Sequence, residues 1–379
     1  MATEGLYIHI PYCRKACAYC DFHFSTTLKT MPDMVDAMLC EADMRLGTRG
    51  ELPEMATWYW GGGTPSVMPE SELRKLWEGL RRQIKLQPGA EITLEVNPED
   101  VTAASLKLWR DLGVNRFSMG IQSFDDRDLQ WMGRAHSAKQ ASDAVRRAQD
   151  AGFENLTVDL IYGLPESSLE DWQTQVGHAM ELGVPHLSTY ALTVEPRTAL
   201  HAQVSKGKRP APRAARAAED FIWYRQHLDD RGWTAYEISN ASRPGWEAVH
   251  NQNYWRGHAY TGIGPGAHSF DGLRTRRWNL ANNPGYIKAV QQGNSFSTSE
   301  HLNSADWLNE RIMTSLRMKT GLSRAEVETL RPGYASELDQ IWAAAIAEGK
   351  MVQDGDRWFL TPDGLLFADA LASDGFWLS

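Results

Sequence analysis

The sequence has few cysteines, no long apolar run and no excess of basic residues. Only 4 of its 379 residues are cysteine, and three of these lie within residues 13–20, which does not fit the disulfide framework of a secreted protein. No apolar run approaches the ~20 residues that cross a bilayer, so we expect no integral membrane segment. Residues 1–5 lack the basic region and apolar stretch of a signal peptide. We therefore expect a cytoplasmic protein.

The charge balance is acidic, with 39 Lys and Arg against 48 Asp and Glu, a formal net charge of −9. Because proteins that bind long nucleic acids are usually basic, we expect no nucleic-acid partner. Two basic groups are local exceptions, one within residues 206–216 and one formed by Arg274, Arg276 and Arg277. Solvated surface explains the first group best, whereas a ligand-binding role stays open for the second.

The first half of the chain alternates short β-rich runs with helical stretches. The predicted strands are residues 6–10, 57–60, 91–96, 116–121, 156–161 and 187–192. The predicted helices are residues 34–46, 71–82, 103–112, 138–151 and 169–182. Repeated strand–helix units indicate a parallel sheet, either open and doubly wound or closed towards a barrel. Unusual glycine and polar residues follow five of the strands, at the edge where both architectures place their sites.

The alternation weakens after Thr193. A helix at 214–231 and a strand at 234–238 precede a Gly-, Asn- and Trp-rich stretch, 242–283, for which we expect irregular structure. The tail has the element order of a winged-helix module, with helices at 307–318, 323–330 and 335–349 and strands at 351–353 and 358–360. Residues 301–379 carry 7 Lys and Arg against 12 Asp and Glu, which argues against DNA binding. We predict three regions, 1–240, 241–299 and 300–379.

Cys13, Cys17 and Cys20 follow the first predicted strand with three and two residues between them. Thiolates are the soft ligands that iron–sulfur clusters need, and three of them leave one iron of a cubane open to another ligand. A structural zinc site with His23 as fourth ligand is the alternative. Zinc does not account for the glycine-rich segment 61–65, or for Asp159, a carboxylate that is costly to bury on an apolar strand without a partner.

The cysteine spacing resembles the signature of the radical S-adenosylmethionine superfamily. The resemblance implies an α/β fold, namely a partial (β/α)6 TIM-like barrel, here with a small winged-helix-like α+β domain at the C-terminus. It also implies that the open iron of a [4Fe-4S] cluster holds S-adenosylmethionine. An electron, supplied by an electron donor, then cleaves that cofactor to a 5′-deoxyadenosyl radical.

Several positions match those through which oxygen-independent coproporphyrinogen III oxidase-like proteins hold S-adenosylmethionine. Gly-Gly-Gly-Thr-Pro at 61–65 resembles the segment that contacts the methionyl amine. The residues that the resemblance implies for this cofactor are Tyr7, Tyr19, Asp21, Gly62, Gly63, Thr64, Glu95, Gln122, Arg134 and Asp159. An internal salt bridge is the alternative role for Asp159.

Two subgroups share this resemblance, the oxidases and the haem chaperones called HemW. The oxidases carry a fourth cysteine where this chain has Phe22, and a longer segment before the cluster. His250-Asn-Gln-Asn-Tyr254-Trp255 resembles the His-Asn-x-x-Tyr-Trp motif linked with haem binding in the chaperones. Imidazole is a common axial ligand of haem iron, and aromatic rings stack on porphyrins. Taken alone, His250 could instead make an ordinary hydrogen bond.

The implied function is a haem chaperone that binds the cluster, S-adenosylmethionine and haem, and transfers haem to an unidentified acceptor protein. His268 and the arginines at 274, 276 and 277 are further candidate haem contacts. The alternative is an oxidase that decarboxylates coproporphyrinogen III to protoporphyrinogen IX. A radical enzyme acting on RNA does not suit the acidic charge. Whether the chain is an enzyme stays open, because the resemblance implies capacity to cleave S-adenosylmethionine but not coproporphyrinogen dehydrogenase activity. A homodimer is one assembly that the sequence allows.

Overall fold

The structure is a computed structural model that describes residues 4–47 and 51–378. Residues 1–3, which belong to the segment considered above as a signal peptide, lie outside the described residues. Within the described part of the chain, twelve strands form one sheet and three form a second. None of the helices described there combines the length and apolar character needed to cross a membrane.

Six parallel strands form the centre of the larger sheet. These strands are β1 (Glu4–Ile10), β2 (Glu54–Gly62), β3 (Lys85–Val96), β4 (Arg116–Gln122), β5 (Asn155–Tyr162) and β6 (His186–Ala191). The helices between and after them are α1 (Met31–Leu46), α2 (Glu70–Arg81), α3 (Ala103–Leu112), α4 (Asp126–Met132), α5 (Ala138–Asp150) and α6 (Leu169–Glu181). The strands pair in chain order without reversal, so the sheet is not doubly wound. Because β1 lies between β9 and β2, and β6 between β5 and β8, the described strands form the predicted partial barrel.

Side chains of the central strands alternate between an apolar outer face and a polar inner face. On β2, Trp58 and Trp60 are fully buried and their rings pack on Trp77 of α2, with ring centroids 4.2 and 4.7 Å away. Between them, Tyr59 contacts residues inside the barrel. The outer face therefore packs into the hydrophobic core, and the polar side chains of the inner face are available for a functional site.

The chain after β6 extends the sheet at both edges. Its elements are α7 (Ala199–Ser205), α8 (Ala214–Asp230), β7 (Thr234–Ala235), β8 (Asn240–Ser242), α9 (Val249–Arg256), β9 (Tyr260–Ile263), β10 (His268–Phe270), β11 (Thr275–Asn279), α10 (Asn283–Gln291) and β12 (Ser297–His301). β8 pairs with β6 and β7 with β8, both antiparallel. β9 pairs with β1 in parallel, and β10, β11 and β12 follow as antiparallel neighbours.

The expectation of irregular structure across 242–283 is wrong, because the segment holds one helix and three strands. α9 is a polar eight-residue helix without an apolar stripe, and it ends at Gly257, whose φ is 71°. Contacts with the barrel stabilise α9, since its local helix propensity alone is not sufficient. Strands from regions 1–240 and 241–299 thus share one sheet, and the boundary between these regions stays a prediction.

The C-terminal segment has its own core. Its elements are α11 (Ser304–Leu316), β13 (Leu322–Ser323), α12 (Arg324–Leu330), α13 (Tyr334–Ile341), α14 (Ala343–Ala347), β14 (Met351–Asp354), β15 (Arg357–Leu360), α15 (Pro362–Leu365) and α16 (Ala368–Asp374). The order of helices and hairpin is the predicted one, and the three strands form a sheet in the order β13-β15-β14. Trp307 of α11 stacks on Phe270, with ring centroids 5.6 Å apart, which docks this unit on the extended sheet.

Candidate functional site

A cavity of about 400 Å³ lies at the carboxyl ends of the parallel strands. Residues from the loop after β1 and from the ends of β2 to β6 form its wall. Twelve predicted cluster and cofactor residues line it, namely Cys13, Cys17, Tyr19, Cys20, Asp21, Gly62, Gly63, Thr64, Glu95, Gln122, Arg134 and Asp159. The fold therefore brings together residues that the sequence distributes over five strand–loop units.

The three thiols of the cavity are half-buried, and none forms a disulfide. The Thr64 hydroxyl donates to Sγ of Cys13, and Nη1 of Arg134 donates to Sγ of Cys17, each over 3.3 Å. Burial raises the pKa of Cys13, and it raises the pKa of Cys20 to about 11. The positive charge of bound iron would favour the thiolate form of Cys13 and Cys20 against this effect of burial, and the donors from Thr64 and Arg134 suit charged sulfur ligands.

His23 is engaged away from the thiols, because its Nε2 lies 2.7 Å from Oδ1 of Asn283. Among the residues that the structure describes, no three His, Cys, Asp or Glu side chains are placed to hold a single metal ion. The thiols of a cubane each bind a different iron. Three thiols on one cavity wall, without His23 among them, therefore fit the cluster better than the four-ligand zinc alternative.

The glycine-rich segment packs directly against the cysteine loop. The Gly63 N–H donates to the Ile10 carbonyl over 2.8 Å, and the Thr64 N–H donates to the Tyr12 carbonyl over 2.7 Å. A Cβ at Gly63 would lie 2.6 Å from that Tyr12 carbonyl oxygen, which leaves no room for a side chain. The glycine run therefore fixes the distance between the cysteine loop and the end of β2.

Two carboxyl groups on the inner face of the barrel border the cavity. Glu95 accepts a hydrogen bond from the Tyr59 hydroxyl over 2.7 Å, and burial raises the pKa of Glu95 to about 8. Asp159 accepts one from Ser118 over 3.1 Å, and burial raises its pKa to about 7. Near neutral pH both groups can therefore carry a proton or accept hydrogen bonds from ligand hydroxyls. The structure gives Asp159 a serine partner, whereas the salt-bridge alternative would pair it with an arginine.

Arg134 holds the fourth strand and the cysteine loop together. Its Nη2 donates to Oδ1 of Asn97 over 2.9 Å and to the Gly120 carbonyl over 2.7 Å. Its Nε is buried and has no hydrogen-bond partner among the described residues. A buried unpaired donor is costly, so this atom is suited to an acceptor on a bound molecule. Gln122 adds a second sign of a built site, because its φ of 71° is strained for a residue other than glycine.

Tyr7 and the haem-motif residues do not line this cavity. Tyr7 lies deeper in the barrel, with its hydroxyl 3.1 Å from Nδ1 of His9. His250 is only 2% exposed, its Nδ1 lies 2.7 Å from the Thr57 hydroxyl, and its Nε2 lies 2.8 Å from the Tyr254 hydroxyl. Both ring nitrogens are therefore occupied, and the ring must leave one partner before it can ligate iron.

The helix that carries the haem motif is fixed at both ends. At its start the Glu91 carboxylate accepts the N–H groups of Val249 and His250, each over 2.9 Å. Such a carboxylate suits the positive end of a helix. Near its end Arg311 of α11 donates to the Trp255 carbonyl over 3.4 Å. The guanidinium of Arg317, which directly follows α11, lies 5.9 Å from the centre of the Trp255 ring, so Trp255 faces the C-terminal unit, while His250 faces the barrel interior.

The looser haem candidates have other partners. His268 is exposed and stacks on Trp278. Arg276 pairs with Glu310 in α11, and Nη1 of Arg274 donates to the Asn303 carbonyl over 2.9 Å. Arg274 and Arg276 therefore serve the contact between the extended sheet and the C-terminal unit, whereas His268 contacts a residue of the extended sheet itself.

The sequence placed Asn97 at the site edge without a role, and it did not single out Ser118 or Tyr190; all three line the cavity. Ser118 lies on β4, Tyr190 lies on β6, and Asn97 directly follows β3. Tyr190 is 45% exposed although it sits on a central strand. The alternation of each strand could have identified Ser118 and Tyr190. Once the apolar face of a strand is known, the residues between the apolar ones must face the cavity.

Two family models match the chain. The Radical SAM superfamily matches residues 7–175, and the HemN C-terminal domain matches residues 302–367. Heme chaperone HemW from Bacillus subtilis is 31% identical over 373 residues, covering 97% of each chain. Heme chaperone HemW from Escherichia coli is 34% identical over 385 residues, covering 97% of this chain and 96% of the relative. Among solved structures, coproporphyrinogen III oxidase (HemN) from Escherichia coli superposes with a TM-score of 0.85 at 22% identity, over 99% of this chain and 90% of that one.

Proposed function

Because this chain belongs to the HemW family within the radical SAM superfamily, we propose that it is a haem chaperone. It binds a [4Fe-4S] cluster, S-adenosylmethionine and haem, and it passes haem to an acceptor protein. The observation that carries this proposal is identity above 30%, over nearly the full length, to relatives named heme chaperone. An electron donor, the acceptor and a cytoplasmic place of action belong to the same proposal.

Cys13, Cys17 and Cys20 would hold the cluster at the mouth of the barrel. Bound there, the cluster supplies the electron chemistry for which the superfamily is named. The chain's own contribution is to place three thiols on one wall, with Thr64 and Arg134 donating to two of them. These donors favour the thiolate form and fix the direction in which each sulfur points.

S-adenosylmethionine would occupy the cavity beside the cluster. The backbone of Gly62 and Gly63 offers close approach, the carboxyl groups of Glu95 and Asp159 can accept from ligand hydroxyl or amino groups, and the unpaired Nε of Arg134 can donate. All of these groups are on strand ends or a short loop anchored to them. The site is therefore largely formed before the cofactor arrives.

Haem ligation is assigned to His250, with Tyr254 beside it and Trp255 as a further haem contact on the side of α9 that faces the C-terminal unit. The support is the motif itself and the neutral state of the imidazole, since burial lowers the pKa of His250 to about 3. A neutral ring can ligate iron without first losing a proton. Ligation through Nε2 requires the Tyr254 hydroxyl to move away, so haem uptake involves a change in or around α9.

The oxidase is the second candidate, and the similarity to HemN bears on fold alone. One experiment separates the two functions. Cluster-loaded protein is incubated without oxygen with dithionite, S-adenosylmethionine and coproporphyrinogen III, and a second sample is mixed with haem and passed through a desalting column. The proposal expects retention of one haem per chain and no protoporphyrinogen. Formation of protoporphyrinogen, or elution without haem, would overturn it.

A further inference from the structure

Tyr59 is in contact with both candidate sites. Its hydroxyl donates to Oε1 of Glu95 over 2.7 Å, and Glu95 lines the cofactor cavity. Its ring stacks on the imidazole of His250, with centroids 4.9 Å apart and an angle of 21° between the planes. Tyr59 itself belongs to neither set of predicted residues. It spans the interior of the barrel between the two.

The surroundings of Tyr59 leave little free space for it to shift alone. Gly61, two residues along the same strand, leaves room for the contact, since a Cβ there would lie 2.6 Å from Oε1 of Glu95 and 2.8 Å from Cε1 of Tyr59. On the other side, Tyr7 lies with its ring centroid 6.0 Å from that of Tyr59 and 6.4 Å from that of His250. Closely packed interiors have low compressibility, so a shift of one ring strains the rings that it contacts.

We propose that Tyr59 is a positioning residue that couples the S-adenosylmethionine cavity to the His250 motif, so that cofactor bound at Glu95 opposes haem ligation by His250. The inference rests on the proposed function, because it takes the cavity as the cofactor site and His250 as the haem ligand. It adds a regulatory relation between two sites, carried by one side chain.

The direction of the coupling follows from the hydrogen bond to Glu95. Hydroxyl donors of a bound nucleoside favour the ionised form of Glu95, and a bond from Tyr59 to a carboxylate is stronger than a bond to a neutral carboxyl group. The phenol is then held more firmly, and its ring stays stacked on His250. Because the imidazole must shift to reach iron, the bound cofactor makes that shift more costly. Linkage requires haem to weaken cofactor binding by the same factor.

The test uses S-adenosylhomocysteine, which carries the adenosyl group but lacks the sulfonium that is cleaved. Cluster-loaded protein is titrated with haem in the absence and in the presence of saturating S-adenosylhomocysteine. We expect the Kd for haem to rise about fivefold or more when the cavity is filled. In Tyr59→Phe, which keeps the ring and loses the bond to Glu95, we expect a change of less than about twofold.

Tyr260→Phe is the matched control. Tyr260 packs edge-on against Tyr254, with centroids 4.5 Å apart, so it belongs to the same aromatic cluster, but the hydrogen bond to Glu95 comes from Tyr59. In Tyr260→Phe, saturating S-adenosylhomocysteine should raise the Kd for haem as much as it does in the parent protein. An unchanged Kd in the parent protein, or an effect that persists in Tyr59→Phe, would overturn the proposal. Loss of S-adenosylhomocysteine binding in Tyr59→Phe would do the same, since Tyr59 would then belong to the cavity itself.

A second readout separates this proposal from the proposed function. The histidine rings are labelled for nuclear magnetic resonance, and the His250 signal is assigned by its absence in His250→Gln. Filling the cavity should shift that signal in the parent protein and leave it in place in Tyr59→Phe, whether or not the chain binds haem. A chain that binds no haem but shows this pattern contradicts the chaperone function and supports the link through Tyr59. An unmoved His250 signal in the parent contradicts the link.

Discussion

Nδ1 of His250 lies 2.7 Å from the hydroxyl of Thr57, so the histidine of the haem motif is bound to a central strand of the barrel. The motif lies in α9, which follows the six central strands in sequence, and its His250 is held by Thr57 of β2 and by Glu91 of β3. Freeing the ring means breaking this bond or the bond to Tyr254.

Thr57→Val should make haem uptake faster, because it removes one of the two bonds that hold the imidazole. The same change leaves Nδ1 without its partner and should lower the free energy of unfolding by about 1–3 kcal/mol. Stopped-flow absorption gives the uptake rate, and urea unfolding gives the stability. Thr189→Val is the control, since Thr189 is buried on β6 and its hydroxyl donates to Ser239. Equal uptake rates in the two variants would argue against a role for the Thr57 bond in masking His250.

Arg134→Lys should weaken binding of S-adenosylhomocysteine to the cluster-loaded protein. A lysine cannot replace the fork that contacts Asn97, Gly120 and Cys17 together. Charged hydrogen bonds are worth about 1.5–3 kcal/mol, which corresponds to a loss of roughly 10–100-fold in affinity. Calorimetric titration of the cluster-loaded protein measures the affinity for S-adenosylhomocysteine. Arg127→Lys, at an exposed ion pair with Asp125, should bind as the parent does, and an unaffected Arg134→Lys would remove Arg134 from the site.

Cys20→Ser should abolish assembly of the cluster. Anaerobic reconstitution followed by iron and sulfide analysis is expected to give the parent a full complement and the variant little of either, because a cubane bound by two thiolates is held poorly. Cys40→Ala provides the comparison, since Cys40 is a thiol that packs against the hydrophobic core. Normal iron content in Cys20→Ser would contradict the ligand set.

Glu95→Gln should flatten the dependence of stability on pH. Burial raises the pKa of Glu95 to about 8, whereas an unfolded glutamate titrates near 4.3. Between about pH 5 and 8 the folded chain therefore holds a proton that the unfolded chain has released, and the free energy of unfolding falls as the pH rises. Urea unfolding at pH 5.5 and 8 should show this fall in the parent. In Glu95→Gln the decrease in the free energy of unfolding between pH 5.5 and 8 should be smaller by at least about 1 kcal/mol. An equal decrease in the two proteins would show that Glu95 is not the group responsible.

The cavity could be predicted from the sequence because strand ends meet at one edge of a parallel sheet. The cysteine loop, the glycine run and Glu95 each follow or end a strand. The alternation of strands and helices along the chain is therefore enough to predict that these residues lie close together. The position of His250 could not be predicted in this way. Its partner Thr57 is 193 residues away and the cap at Glu91 is 159 residues away, and the eight residues of α9 carry no apolar stripe.

The short strands of the extension escaped prediction for a similar reason. β9, β10 and β11 have four, three and five residues, too few for a period of two to stand out from a Gly- and Asn-rich background. They form because β1 offers an edge to pair with. Tertiary pairing, not local propensity, decides such segments.

A haem titration of the cluster-loaded protein, followed by absorption without oxygen, tests the central claim most directly. The account predicts saturation at one haem per chain and a Kd at least about tenfold higher in His250→Ala, with the exposed His301→Ala behaving as the parent. His268→Ala serves as the test of the other candidate histidine. Failure of the parent to bind haem, or an unchanged Kd in His250→Ala, would contradict the account.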